Sequence, residues 1–324
     1  MTILREVLGL CTTCCEPMKD KKIYRITPTL CERIWGGNRL TARGRGCGER
    51  IGESWELSFV SGCEATVDGL PLSQAIPRSE WGENARRFDR FPVLTKLIDA
   101  KEKLSVQVHP TDEYALEHEG KWGKSEMWYV VSADEGSGVY LGPDREITGE
   151  ELRSHAEDGD LEELLRFVPV RSEDVIFIPA GTIHSICGGA LIFEIQKSSD
   201  LTYRLYDYMR RDSEGRLREL HLDRAVEVAN LKPYEAPPRV KLSDEIIGAC
   251  DCFETRKCKL NFTKTSYFAD KSSFVAVTCV DGSASLDGEP ISLFETLFVP
   301  ADYGEFTLEG CGTLILVSLP RKSQ

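Results

Sequence analysis

The sequence is short of features that would assign it quickly. No apolar run approaches the ~20 residues of a membrane-spanning helix. Positive charge is in deficit: 40 Lys and Arg against 53 Asp and Glu leave a formal net charge of −13, which disfavours nucleic acid and anionic membranes as partners. The 12 cysteines form no spaced framework. Cys187 and Cys279 lie in apolar strands, Cys31 follows Leu30, and Cys11, Cys14 and Cys15 cluster in "CTTCC" with no second Cys-x-x-Cys or Cys/His pair nearby. They read as unpaired small hydrophobes in a reducing cytoplasm. "MTILREVLGLCTTCCEP" has too short an apolar stretch for a signal peptide. Residues 1–17 are expected to be a disordered or non-native leader, with Met18 as the start. The remainder is ordinary: 41% hydrophobic and 29% charged over 324 residues, room for one large domain or two moderate ones.

Histidine is scarce as well, with five in the chain, and two of them stand in informative places. In "LSVQVHP" strand alternation puts Leu104, Val106 and Val108 on one face and Ser105, Gln107 and His109 on the other. The first face suits a core and the second a polar cavity. "DVIFIPAGTIH" reads as a strand from Val175 to Ile178, a break at Pro179, a turn at Gly181 and then His184. With Glu126 from "GKSEMWYV", the set Gln107, His109, Glu126 and His184 offers the mixed N and O donors of a zinc or similar divalent site. Gln107 is the weakest of the four, because amides bind zinc poorly. His118 and His155 lie among charges on predicted helices and read as solvated. His221 reads as the start of a helix.

Residues 23–70 and 92–109 read as strands and turns, and 72–90 as including helix. "TDEYALEHEG" is a short helix that Thr111 or Asp112 caps and Gly120 ends. Thr148 and Glu151 form a capping box for a second helix, with another restarting near Asp160. Strands resume at 174–178, 190–196 and 202–208. The Pro-rich "LKPYEAPPRV" marks a boundary near 232–240. Beyond it, strand-like runs with Asp-Gly turns at 281–282 and 287–288 predict a second, smaller β-barrel. Its "TLFVPADYG" echoes "VIFIPAGTIH" without the histidine, so that barrel is expected to be metal-free.

A strand ending in Pro-Ala-Gly with a following His resembles the second motif of cupin barrels, and "QVH" with Glu126 a variant of the first. "CERIWGG", "GESWELS", "PVLTKLIDAKEKLSVQVHP", "PAGTIHSI" and "LTYRLYDY" narrow the resemblance to the short bacterial type I mannose-6-phosphate isomerases, over about Cys31 to Asp223. The resemblance implies a mainly β fold: a cupin (jelly-roll) barrel with helical insertions over 18–235 and a cupin-like β domain over 240–324. It implies one zinc ion per chain and the interconversion of mannose 6-phosphate and fructose 6-phosphate through an enediol. It implies a small sugar phosphate as partner, a monomer or homodimer, and a cytoplasmic protein.

The resemblance also assigns residues. Arg204 matches the arginine beside the substrate, and Glu194 and Asp200 match acidic positions on the same wall. Lys124, Lys96 and Ser105 match groups that bind substrate oxygens or phosphate. An arginine is a poor base and a good anion clamp, so Arg204 is given the electrostatic role. The proton carrier stays open between Glu194, Lys124, His184 and a water at the metal. Two other readings are an iron dioxygenase of the cupin type, which the additional Gln107 and the cations disfavour, and a non-catalytic sugar-phosphate sensor.

Overall fold

The computed structural model describes residues 22–47, 50–211, 214–235 and 245–320. The expected leader, Cys11, Cys14, Cys15 and most of the Pro-rich boundary lie outside those residues. All pairings between strands are antiparallel and fall into three main sheets. A six-stranded sheet runs in the order Val175–Ile178, Glu126–Ala133, Ala190–Lys197, Val93–Ala100, Thr29–Gly37, Ile51–Leu57. A five-stranded sheet runs Leu165–Pro169, Gly138–Pro143, His184–Ile186, Val106–Val108, Tyr203–Tyr206. The third sheet has seven strands and holds everything after Glu245 that forms strand, plus Tyr24–Ile26 from the start of the described chain.

Alternation explains how the first two sheets meet. Ile98, Trp128, Val130 and Ile192 of the six-stranded sheet share one cluster with Val139, Leu141 and Ile186 of the five-stranded sheet. The sheets therefore pack face to face, and the site lies between them. The opposite face of the six-stranded sheet carries Val93, Leu97, Met127, Tyr129, Phe193 and Ile195, which pack into a core shared with the third sheet. Phe91 meets Phe274 at 5.0 Å between ring centres, and Phe274 stacks on Phe298 at 5.0 Å. Each such fully buried side chain contributes roughly 1.5–3 kcal/mol, so the seam between the two parts is itself a hydrophobic core. The six- and five-stranded sheets use strands up to Tyr206 and the third sheet uses strands after Glu245, except that Tyr24–Ile26 pairs with Thr296–Val299.

The local signals mostly act where they stand. Thr111 caps the helix Asp112–Glu119 and Gly120 ends it with φ 62°. Thr148 and Glu151 make the reciprocal capping box of helix Gly149–Asp158. The segment 72–90 contributes one short helix, Leu72–Ala75, and two 3-10 turns. Asp287-Gly288 forms a hairpin turn with both residues at positive φ. Asp281-Gly282 does not turn. It lies inside the strand Val275–Leu286, where the register shifts between Cys279 and Asp281 and Gly282 takes φ 71°, which is a bulge. Leu104 also departs from expectation. The strand begins only at Val106, and Leu104 packs between the two sheets, whereas Val106 and Val108 pack outward under helix Gly149–Asp158.

Candidate metal centre

Two rows of directly opposed residues build the centre. On the five-stranded sheet, His184, Gln107 and Arg204 face one another across three neighbouring strands. On the six-stranded sheet the row is Trp128, Glu194, Lys96 and Trp55. Glu126 stands two residues before Trp128 on the same strand and therefore on the same face. The inward face of each sheet thus presents its polar residues to the other.

The two imidazoles are oriented from behind. His184 Nδ1 lies 2.8 Å from the carbonyl of Thr182, and His109 Nδ1 lies 3.0 Å from that of Leu201. A carbonyl only accepts, so each Nδ1 carries the proton and each Nε2 presents a lone pair, the arrangement typical of metal-ligating histidines. Both Nε2 atoms point at Glu126. His184 Nε2 is 3.3 Å from Oε1 and His109 Nε2 is 3.4 Å from Oε2. All three side chains are at most 1% exposed.

Electrostatics keep this set in the ligand-ready form. Burial, helped by the Lys124 ammonium, pushes His109 down to about 3, and burial lowers His184. Burial would raise the carboxyl of Glu126, but Lys124 at 2.8 Å overrides it and holds the group well below the usual carboxylate range. The result is two neutral imidazoles aimed at an ionised carboxylate. His109 Nε2 and Glu126 Oε1 make no hydrogen bond, because neither has a proton to offer. Buried acceptors facing acceptors are costly, and a cation among them removes the cost. Gln107 lies beside them, with its amide nitrogen 3.1 Å from His184 Nε2; turned over, that amide presents its oxygen to the same point. His109, Glu126 and His184 therefore form a group that could hold a divalent ion, with Gln107 beside it.

The surrounding charges are nearly all buried. Lys124 Nζ is 3.7 Å and Lys96 Nζ 3.6 Å from Glu194 Oε1, while Trp128 donates to Glu194 Oε2 at 3.0 Å. Burial first, and Glu126 second, raise the Glu194 carboxyl. Lys96 also lies over the Trp55 ring at 4.2 Å. Ser105 is buried at the foot of the Gln107 strand. Arg204 is half-buried, its Nε has no hydrogen-bond partner, and it makes no ion pair among the described residues. Burial and Arg218 lower its pKa.

Asp200 is not part of this assembly. Its side chain is 51% exposed and pairs with Lys121. The support from that stretch comes instead from the next residue, whose carbonyl holds His109. Three contributors went unrecognised in the sequence. Glu53, partly buried near Lys96 and ion-paired with Arg33 at 2.6 Å, was signalled by "GESWELS", where it shares a face with Trp55. Trp128 anchors Glu194. His221 accepts the Arg204 backbone N–H at 3.2 Å and fixes that strand. His118 and His155 lie outside the centre, near Arg224 and Asp160. An open cavity of about 660 Å³ at the seam with the third sheet, lined by Arg78, Glu80 and Lys271 among others, holds neither His nor Cys.

The fold and this centre define a mainly β protein of cupin type with a buried metal-capable group. Residues 23–130 match the family described as phosphomannose isomerase type I, catalytic domain. The mannose-6-phosphate isomerase ManA of Bacillus subtilis is 36% identical over 94% of this chain and 99% of its own length. The mannose-6-phosphate isomerase of Streptococcus mutans is 42% identical over 64% of this chain and 68% of its own. The crystal structure of the Bacillus subtilis mannose 6-phosphate isomerase superposes with a TM-score of 0.81 at 33% identity, covering 91% of this chain and 99% of that one. The chain belongs to the type I phosphomannose isomerase family and is an isomerase. No helix among the described residues is long and apolar enough to cross a membrane.

Proposed function

We propose that this isomerase interconverts mannose 6-phosphate and fructose 6-phosphate with one zinc ion held by Gln107, His109, Glu126 and His184. The observation that carries the reading is the convergence of two neutral imidazoles on an ionised, buried carboxylate with no proton among them. When bound, zinc in such a set supplies Lewis acidity toward a sugar oxygen.

The chain's own residues supply the rest. Moving a proton between C2 and C1 requires a group that can hold it in a dry site and a positive field for the enediolate oxygens. Glu194 suits the first task. Burial and the neighbouring Glu126 raise its carboxyl, which makes it a stronger base than an ordinary carboxylate. Its Oε1 has no hydrogen-bond partner and is free to take the proton, while Trp128 holds Oε2. Lys124, between Glu126 and Glu194, and Arg204 on the facing sheet supply the field. Lys96 and Ser105 add a cation and a hydroxyl for substrate oxygens. Trp55, Trp128 and the apolar cluster behind them exclude water.

The test is turnover of mannose 6-phosphate coupled to detection of fructose 6-phosphate. Chelation should abolish it and zinc should restore it. Glu194→Gln should lower kcat by roughly 10²–10⁴-fold with KM nearly unchanged, and should flatten the acid limb of the rate profile. Full turnover after exhaustive chelation, or a Glu194→Gln enzyme with wild-type kcat, would remove zinc or Glu194 from the proposal.

A further inference from the structure

Cys250 and Cys252 flank Asp251 in the bend between strands Ile246–Ala249 and Glu254–Ala269. Their sulfurs lie 3.3 Å apart, with no bond between them. Cys252 is fully buried beside Phe253, whereas Cys250 is partly exposed. The isomerase centre makes no use of either. The two sulfurs and the Asp251 carboxylate all lie within 4.8 Å of one another, which would suit a metal ion. The surroundings argue otherwise. Asp251 is 65% exposed and its carboxylate is 3.5 Å from the Lys197 ammonium, which also pairs with Asp112. Arg87 donates to the Asp251 carbonyl. Two fixed positive charges at the loop repel a cation.

We infer that Cys250 and Cys252 form a redox-active dithiol that closes to an intrachain disulfide on reaction with a small-molecule disulfide of the glutathione class. The contact distance and the difference in exposure define the order of events. The Cys250 thiolate attacks one sulfur of the small disulfide, forming a mixed disulfide and releasing one thiolate. The Cys252 sulfur then attacks Cys250 Sγ and gives its proton to the second departing thiolate. Two electrons pass from the protein thiols to the small disulfide, which leaves as two thiols. Burial raises the Cys252 thiol well above its ordinary value, which fits its place as the second sulfur to act. A disulfide between residues two apart closes a small ring under strain, so excess thiol should reopen it.

The test exposes the full chain to oxidised glutathione, quenches with acid, alkylates free thiols and measures peptide masses. The peptide holding both residues should lose two hydrogens and retain no glutathione. Exposed Cys311, whose strand partners are Asn261 and Ser283, should retain a glutathione adduct and serves as the internal control. Cys252→Ala should trap the adduct on Cys250. Should that variant fail to fold, Cys250→Ala gives the complement, in which buried Cys252 stays unmodified. Glutathione retained on Cys250 in the unaltered chain, or both thiols still fully alkylated once Cys311 is modified, would overturn the inference. So would modification of Cys252 in the folded Cys250→Ala chain.

Discussion

Two turns in this molecule have nearly the same backbone and opposite consequences. After the strand Val175–Ile178, the turn Pro179-Ala180-Gly181-Thr182 closes with the Thr182 N–H donating to the Pro179 carbonyl at 3.2 Å, and its third residue takes φ 86°. After the strand Thr296–Val299, the turn Pro300-Ala301-Asp302-Tyr303 closes with the Tyr303 N–H on the Pro300 carbonyl at 3.3 Å, its third residue at φ 65°. The first returning strand opens on His184 and the second on Gly304. Behind the first turn, the sheet interior holds Lys96, Lys124, Glu126 and Glu194. Behind the second it holds Leu297, Val299, Phe306, Leu308 and Leu314. The turn is therefore a scaffold that does not specify chemistry. A few side chains decide whether the space it borders becomes a reaction site or a core. The charged interior is the less stable solution, because every buried charge must be paired or neutralised, and such local departures from a hydrophobic interior are expected where there is function.

The contrast can be broken from either side. Glu126→Gln should abolish metal retention, measured by elemental analysis, and reduce turnover by more than ~10²-fold, since even groups that only support metal ligands are worth ~10–100-fold. A variant that keeps its metal and its rate would make the first interior a charged core and no more. Phe306→Ala, in the apolar interior, should lower the unfolding free energy by about 3–5 kcal/mol while leaving turnover per folded molecule unchanged. Urea denaturation and an assay below the transition separate the two effects.

The seam between the two parts should respond to pH. Glu56 is buried between them, with Thr296 of the third sheet at 3.4 Å and Arg45 at 3.2 Å. Burial outweighs that arginine and raises its carboxyl to about 7. The folded chain then keeps a proton that the unfolded chain has released, so unfolding free energy falls as pH rises from about 4.5 to about 7. The total is a few kcal/mol at most, because each tenfold change in proton affinity between the folded and unfolded chain is worth ~1.4 kcal/mol. Glu56→Gln should flatten the dependence of the urea midpoint between pH 5 and pH 8, and an unchanged slope would assign it to other groups. The smallest effect belongs to Thr148→Ala, which removes the capping box outside both interiors. It should cost about 1 kcal/mol and leave turnover and metal content intact.

What was legible in the sequence follows from range. Thr111, Gly120, Thr148 and Glu151 act within one helical turn, so their roles could be read directly. The grouping of His109 and His184 with Glu126 was legible because Gln107 and His109 share a strand face and His184 follows a turn with its own signature. Lys96 and Glu194 came only from the resemblance, and the row they form with Trp55 and Trp128 was not legible, because it depends on the register of four strands whose order no local pattern encodes. Glu53 and the support from Trp128 disappeared for that reason. Asp200 was placed in the site by likeness of position, yet the chain turns outward there and the Leu201 carbonyl reaches inward. The Asp281-Gly282 dipeptide reads as a turn in isolation, yet it pairs with Thr313 and Gly312 of the neighbouring strand, where the register shift makes it a bulge instead.

The pairing of Tyr24–Ile26 with Thr296–Val299 has a temporal consequence. A ribosome that has passed His221 has already made every residue named in the candidate metal centre. The outer face of the sheet carrying Glu126 and Glu194, with Met127, Tyr129 and Phe193, still waits for Phe274, Phe298 and Ile315 to cover it. The strand Tyr24–Ile26 waits for a partner that lies far along the chain. Joining such distant segments is slow, because closing so long a loop is entropically opposed before any contact rewards it. Nascent chains of intermediate length therefore carry an unpaired strand and an uncovered apolar sheet face, which is the window in which this protein is most exposed to misassociation and to chaperone capture.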